Sequence, residues 1–358
     1  MHTPLLQHLK RHHLLPEARS ITRVTERVFK ECLAADDEEI LIITDTGSEG
    51  HMLSPLMGAG YYLAAQSLGL DVKLIFQDQK KKGEDAAQVT QYALEDSGFK
   101  NIVIMAANAL GSTPLIGRSF RKFSRARKHK FVSCTGLASL ETRQLPGVLK
   151  SMDTDYELLR QRAAVLKTVL DQGNHLRITT PAGTDLHVTI QGKESHANDG
   201  HFIFPGKGGN VPTGEVYIAP RKKRVEGKVV IDGSSRSINR TTIIKTPITL
   251  TVEEGDVVAI RGGREARLLE QSIEWAHQQS TYPWGVRRLG EVGFGLNPQA
   301  DIMGAMIVDE KATNTAHVAI GSNHWFGGTV YALIHLDQVM KNPTIQVDGQ
   351  HLDKKLYA

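Results

Sequence analysis

Hydrophobic and polar positions are patterned differently in the two halves of the chain. In the first half, apolar runs of strand length alternate with amphipathic stretches of helix length. "EEILIITDTG" predicts a buried strand ending at Asp45-Thr46-Gly47, and "HMLSPLMGAGYYLAAQSLGL" a helix ending near Gly69. "DVKLIFQD" predicts a strand, "EDAAQVTQYALEDSG" a helix, and "KNIVIMAAN" and "KFVSCTG" two further strands. Strand, helix and strand at these lengths predict parallel βαβ units. The stretch "SMDTDYELLRQRAAVLKTVLDQGN" follows. Leu158, Leu159, Val165, Leu166, Val169 and Leu170 form a helical stripe, with Asp153 or Thr154 placed to cap its start and Gly173 just past its end. We read this helix as the link between two domains.

Beyond Gly173 the pattern shortens and glycine punctuates it. "HLRITTPAGTDLHVTIQG" reads as two strands around Pro181-Ala182-Gly183. More strand-like segments follow, interrupted by one clear helix, "REARLLEQSIEWAHQQS". The expected architecture is an α/β N-terminal domain with a mainly parallel sheet over residues 1–172. An α+β C-terminal domain, built on a mostly antiparallel sheet and carrying a metal centre, is expected over residues 173–358.

Composition narrows the class. The hydrophobic share of 40% and charged share of 23% fit a globular protein. A formal charge of +4 is too small to argue for nucleic-acid binding. Cys32 and Cys134 are far apart and lack a CxxC partner, which points away from a disulfide framework or a structural zinc site. No segment reaches the roughly 18 apolar residues of a membrane helix. The expectation is a soluble cytoplasmic protein with no membrane partner. The basic stretch "GRSFRKFSRARKHK" carries Phe120 and Phe123. We read it as an amphipathic helix with a solvated face rather than a nucleic-acid patch. No GxGxxG follows the first strand, so no dinucleotide site is indicated.

Four clusters in the second half combine glycine turns with carboxylates or imidazoles: "GNVPTGEVYIAP" with Glu215, "RRLGEVGFGLNP" with Glu291, "VDEKATNTAHVAIGSNHWFGG" with Glu310, His317 and His324, and "IHLD" with His335 and Asp337. Residues two apart in a strand share a face, so His335 and Asp337 aim at one point. Alone, such a pair reads equally well as a hydrogen-bonded core pair. Together, the clusters supply enough nitrogen and oxygen donors for two divalent ions, and this mixture suits Zn, Co, Mn or Fe(II). The spacing does not match an HExxH helix. Arg287 and Arg288, just ahead of Glu291, are placed to pair with a ligand carboxylate or to hold a substrate carboxylate. Trp325 and Phe326 would wall a pocket or join the core.

From about residue 179 to 339, "PAGTDLHVTI", "GNVPTGEVYIAP", "EGKVVIDGS", "LGEVGFGLNP", "VDEK…AHVAIGSN" and "IHLD" resemble, in order, the aminopeptidase T and aminopeptidase S family of two-metal exopeptidases. The resemblance implies a homodimer that trims N-terminal residues from peptide substrates. It implies metal ligation by Glu215, Glu291, Glu310, His317, His335 and Asp337, with Glu291 bridging two ions and accepting a proton from the attacking water. The family places a tyrosine seven residues after the metal histidine. This chain has His324 there, which the resemblance casts as the group stabilising the oxyanion. The same superfamily contains a branch resembling 2,5-dihydroxypyridine dioxygenase, with one Fe(II) on two histidines and one carboxylate. Retention of Glu215 and Glu291 makes the metalloaminopeptidase the main expectation. The ring-cleaving dioxygenase is the alternative, and a catalytically lapsed metal-binding homologue is a third reading.

Overall fold

The computed structural model describes residues 3–81, 84–98, 101–116, 120–281 and 283–356. Lys100, which opens one expected strand, and the first three residues of the basic stretch lie outside the described residues. The chain divides into two compact units, Met1–Tyr156 with Gly200–Thr213, and Glu157–Asp199 with Gly214–Ala358. The division thus falls at the start of the long helix rather than at its end, and a later segment returns to the first unit.

The first unit is built on a five-stranded sheet in which every neighbouring pair is parallel. Its order is Val72–Gln77, Ile40–Asp45, Ile102–Met105, Lys130–Ser133, Gly208–Asn210. Ile40 to Ile43 are buried on both sides, as parallel strands covered by helices must be. Helix Leu53–Ser67 packs against this strand because Gly58 removes a side chain at the contact: a methyl group there would sit 2.5 Å from the Thr44 Cβ. The edge strand Gly208–Asn210 is invisible to pattern analysis, since "GGN" has no strand-forming side chains. Phe123 of helix Phe120–Ala126 is buried in the cluster of Leu41, Ile43, Val103 and Phe131, so the basic stretch turns its aromatic side inward.

The second unit opens at Glu157, within helix Tyr156–Gln172. Its buried positions are Tyr156, Leu159, Ala163, Leu166 and Leu170, spaced alternately by three and four. Val165, part of the expected stripe, is exposed. The helix begins just after the expected cap positions, Asp153 and Thr154; Ser151 and Met152 close a separate helix, Leu145–Met152. Two seven-stranded sheets follow instead of the single one expected. The first runs Asp256–Arg261, Ile248–Glu253, Val225–Ile231, Asp185–Thr189, His175–Thr179, Thr344–Val347, Gln350–His351. The second runs Thr241–Ile243, Ser234–Arg236, His335–Lys341, Thr315–Gly321, Leu289–Gly295, Glu215–Ile218, Ser195–Asn198. Neighbouring strands in both are antiparallel. Among the described residues, no helix is long and apolar enough to cross a membrane.

Candidate metal centre

The second sheet of this unit sorts its side chains by face. Ile218, Val292, Val318 and Gln338 are aligned across the strands on one face. On the other face Glu291 lies opposite Ala319, and Ala319 opposite Asp337. One row along, Tyr217, Gly293 and His317 are aligned; Glu215 pairs with Gly295, and His335 with Gly321. Glu215, Glu291, His317, His335 and Asp337 therefore each have a glycine or alanine beside them. Gly293 is the clearest case. A methyl group there would overlap Nε2 and Cε1 of His317 and lie 3.0 Å from its Cδ2. The imidazole lies directly over the strand, in space that only glycine leaves open.

Glu291, His317 and Asp337, all buried, each present one donor atom within 4.8 Å of the others. His317 Nε2 stands 3.3 Å from Glu291 Oε1 and 3.6 Å from Glu215 Oε2. His335 Nε2 stands 3.5 Å from Glu291 Oε2 and 3.2 Å from Asp337 Oδ1. The His335 Nδ1–H donates to the Ser322 carbonyl at 2.8 Å, which orients the ring and leaves Nε2 turned toward the carboxylates. His317 Nδ1 is buried without a hydrogen-bond partner, and the buried Asp337 Oδ1 faces His335 Nε2 at 3.2 Å. An oxygen so placed beside two imidazoles is what a bound cation would satisfy.

The electrostatics describe a centre that holds protons where a cation would sit. Burial opposes charge on His317, but the Glu291 hydrogen bond and the surrounding carboxylates outweigh it and raise its pKa to about 9. Burial likewise opposes charge on His335, and Asp337 overcomes it, raising the pKa to about 10. Asp337 is pushed down to about 2, since the His335 charge outweighs burial. Glu291 is raised, chiefly by burial.

Glu215 and Glu310 both meet a lysine. The Lys311 side chain is fully buried, and its ammonium donates to Glu215 Oε1 at 2.6 Å and to Glu310 Oε1. Burial raises Glu310 to about 8. The loop that carries this pair is pinned by Asp309, which accepts backbone N–H groups from Met303, Gly304 and Ala305. His324 is half-buried; its Nδ1 lies 2.9 Å from Ser322 Oγ, and its ring stacks on Tyr331 at 4.4 Å. The ring against His335 is Trp325, at 5.0 Å, with Phe326 at 6.3 Å. Phe326 meets Tyr217 edge-on at 5.2 Å, so aromatic side chains wall this side of the centre. Arg287 pairs with Glu270, and Arg288 with Asp256 at 2.8 Å, rather than with a ligand carboxylate. Sequence reasoning missed Lys311, because a lysine beside a glutamate reads as solvated surface. Its only signal is the apolar run "IMGAMIV" just ahead of it.

Buried imidazoles and carboxylates gathered from adjacent strands onto one face are the donor set of a metalloenzyme, and they fit a divalent ion. The chain belongs to the 2,5-dihydroxypyridine 5,6-dioxygenase (NicX) family, which matches residues 20–355. It is 23% identical over 339 residues to the 2,5-dihydroxypyridine 5,6-dioxygenase of Pseudomonas putida KT2440, covering 92% of this chain and 93% of that protein. The solved structure of the dioxygenase from that organism shares the fold, with a TM-score of 0.72 and 19% identity over 93% of this chain and 95% of the other. Aminopeptidase T of Thermus thermophilus is 27% identical over 195 residues, 48% of this chain and 44% of that protein. Its structure aligns with a TM-score of 0.59 and 19% identity, over 93% of this chain and 97% of the other. Aminopeptidase AmpS of Bacillus subtilis matches 48% of this chain and 45% of that protein, at 26% identity. In sequence the aminopeptidases match about half of the chain, while the dioxygenase matches nearly all of it; both folds align along nearly the whole chain, the dioxygenase with the higher TM-score. The balance moves from the main expectation to its alternative.

Proposed function

We propose that this protein is a mononuclear Fe(II) dioxygenase that opens a hydroxylated, nitrogen-containing aromatic ring of the 2,5-dihydroxypyridine kind. The observation that carries the reading is the division of the acidic groups. Glu215 and Glu310 are engaged by Lys311, and His317, His335 and Asp337 are left beside Glu291. Two imidazoles and one carboxylate are the ligand combination of non-haem Fe(II) oxygenases. The aminopeptidase reading needs Glu215 and Glu310 as ligands of a second ion.

When bound, the iron would supply the redox chemistry with dioxygen. In the reaction the bond between ring carbons 5 and 6 breaks and both oxygen atoms enter the product, so no external reductant is consumed. His317, His335 and Asp337 would hold the ion, and Ser322 would keep His335 in the ligating tautomer. Glu291, raised by burial, is the group to accept the proton of a ring hydroxyl. Trp325, Phe326 and Tyr217 offer aromatic surface for a flat substrate. The test is elemental analysis of protein prepared without air and supplied with Fe(II), alongside assays on the dihydroxypyridine and on aminoacyl anilides. One iron per chain with ring loss supports the reading. Two ions per chain with anilide cleavage overturns it.

A further inference from the structure

Lys311 is unusual in its surroundings. It is fully buried, yet its neighbours are acidic: Glu215 and Glu310 contact its ammonium, and Glu215 Oε2 lies 3.6 Å from the His317 Nε2 that also faces Glu291. The carboxylates Glu215, Glu291, Glu310 and Asp337, with two imidazoles, exceed what one ion requires. An ammonium held by two carboxylates occupies the same kind of place as a small cation, and it is tied to the backbone. We infer that Lys311 is a built-in cation filling a second metal position, and that its removal turns the centre into a two-ion site held by Glu215, Glu310 and the shared Glu291 and His317. Lysine then acts as a selectivity device. It satisfies the acidic half of the site without ligating and reserves the other half for one ion. This inference rests on the one-metal reading proposed above.

The experiment loads wild type, Lys311→Ala and Lys311→Arg with Zn(II) alone and counts ions per chain. Mn(II)-loaded samples are examined by electron paramagnetic resonance for coupling between two ions. The expected result is one ion in wild type and in Lys311→Arg, and two, with a coupled Mn(II) signal, in Lys311→Ala. One ion in a folded Lys311→Ala protein overturns the inference and leaves the one-metal reading standing. Two ions in wild type overturns both. Loss of Lys311 leaves two carboxylates facing each other, so folding of Lys311→Ala is followed by circular dichroism with and without Zn(II). If the variant fails to fold in either condition, Glu310→Gln decides. The single ion of that variant is expected to bind within about threefold of wild type, since Glu310 holds Lys311 and not the ion. A tenfold loss would refute the assignment.

Discussion

Replacing Gly293 by alanine tests whether the glycine-lined face builds the metal centre. The added methyl group would overlap two atoms of the His317 ring and stand 3.0 Å from a third. Non-bonded carbon atoms settle at about 3.5–4.0 Å. The ring must therefore retreat by about 1 Å, while ligand geometry is held to about 0.5 Å in working sites. A displacement of that size costs on the order of 100-fold in rate, and disturbing a ligand's support costs roughly 10- to 100-fold in metal affinity. The overpacking itself costs about 1–3 kcal/mol of stability. We expect Gly293→Ala to fold with a lowered melting temperature, to bind Zn(II) at least about tenfold more weakly in equilibrium dialysis, and to lose most turnover. A folded variant that binds Zn(II) as tightly as wild type would show that His317 does not hold the ion from its position over this strand.

Three further outcomes follow from the same geometry. Trp325→Ala removes the ring against His335, a contact of about 0.5–1.5 kcal/mol; the KM for the dihydroxypyridine should rise about two- to tenfold with kcat largely kept, and an unchanged KM would remove Trp325 from the substrate wall. His317 and His335, raised to about 9 and about 10, are protonated at neutral pH without metal; Zn(II) binding at pH 7 should release protons, and affinity should fall as pH drops, which calorimetry in buffers of different ionisation enthalpy reads out. His129 is buried in the first unit, accepting the Asn101 N–H at Nδ1 and lying 3.3 Å from Ser97 Oγ through Nε2. Burial lowers its pKa from 6.5 to about 4. The unfolded chain therefore takes up this proton first, so the contribution is complete above pH 6.5 and is lost as pH falls toward 4. His129→Gln should lose less stability than wild type between pH 7 and 5 in urea unfolding, and equal losses would exclude His129 as a source of acid sensitivity.

The parts of the fold legible in the sequence are those in which one residue's neighbours in sequence decide its role. The apolar run at Ile40 to Ile43 and the long helix before Gly173 could be read because period and length alone specify them. Gly208–Asn210 could not, since its place at the sheet edge comes from pairing with Lys130–Ser133, far away in sequence. For the site, spacing placed His335 and Asp337 on one face, while Glu291, read beside glycine turns, lies within strand Leu289–Gly295. Lys311 and its pairing with Glu310 escaped because they are set by a loop pinned on Asp309 and by a cross-sheet neighbour, Glu215. His324 matched a family position, yet the ring laid against His335 belongs to the adjacent Trp325. A register position in a turn does not fix which side chain faces inward.

The decisive measurement is mass spectrometry of the product formed by Fe(II)-loaded protein from 2,5-dihydroxypyridine under ¹⁸O₂. Both atoms of one oxygen molecule should appear in a ring-opened product. An intact ring with no oxygen uptake, from protein that instead releases amino acids from peptides, would contradict the dioxygenase assignment and return the centre to hydrolysis.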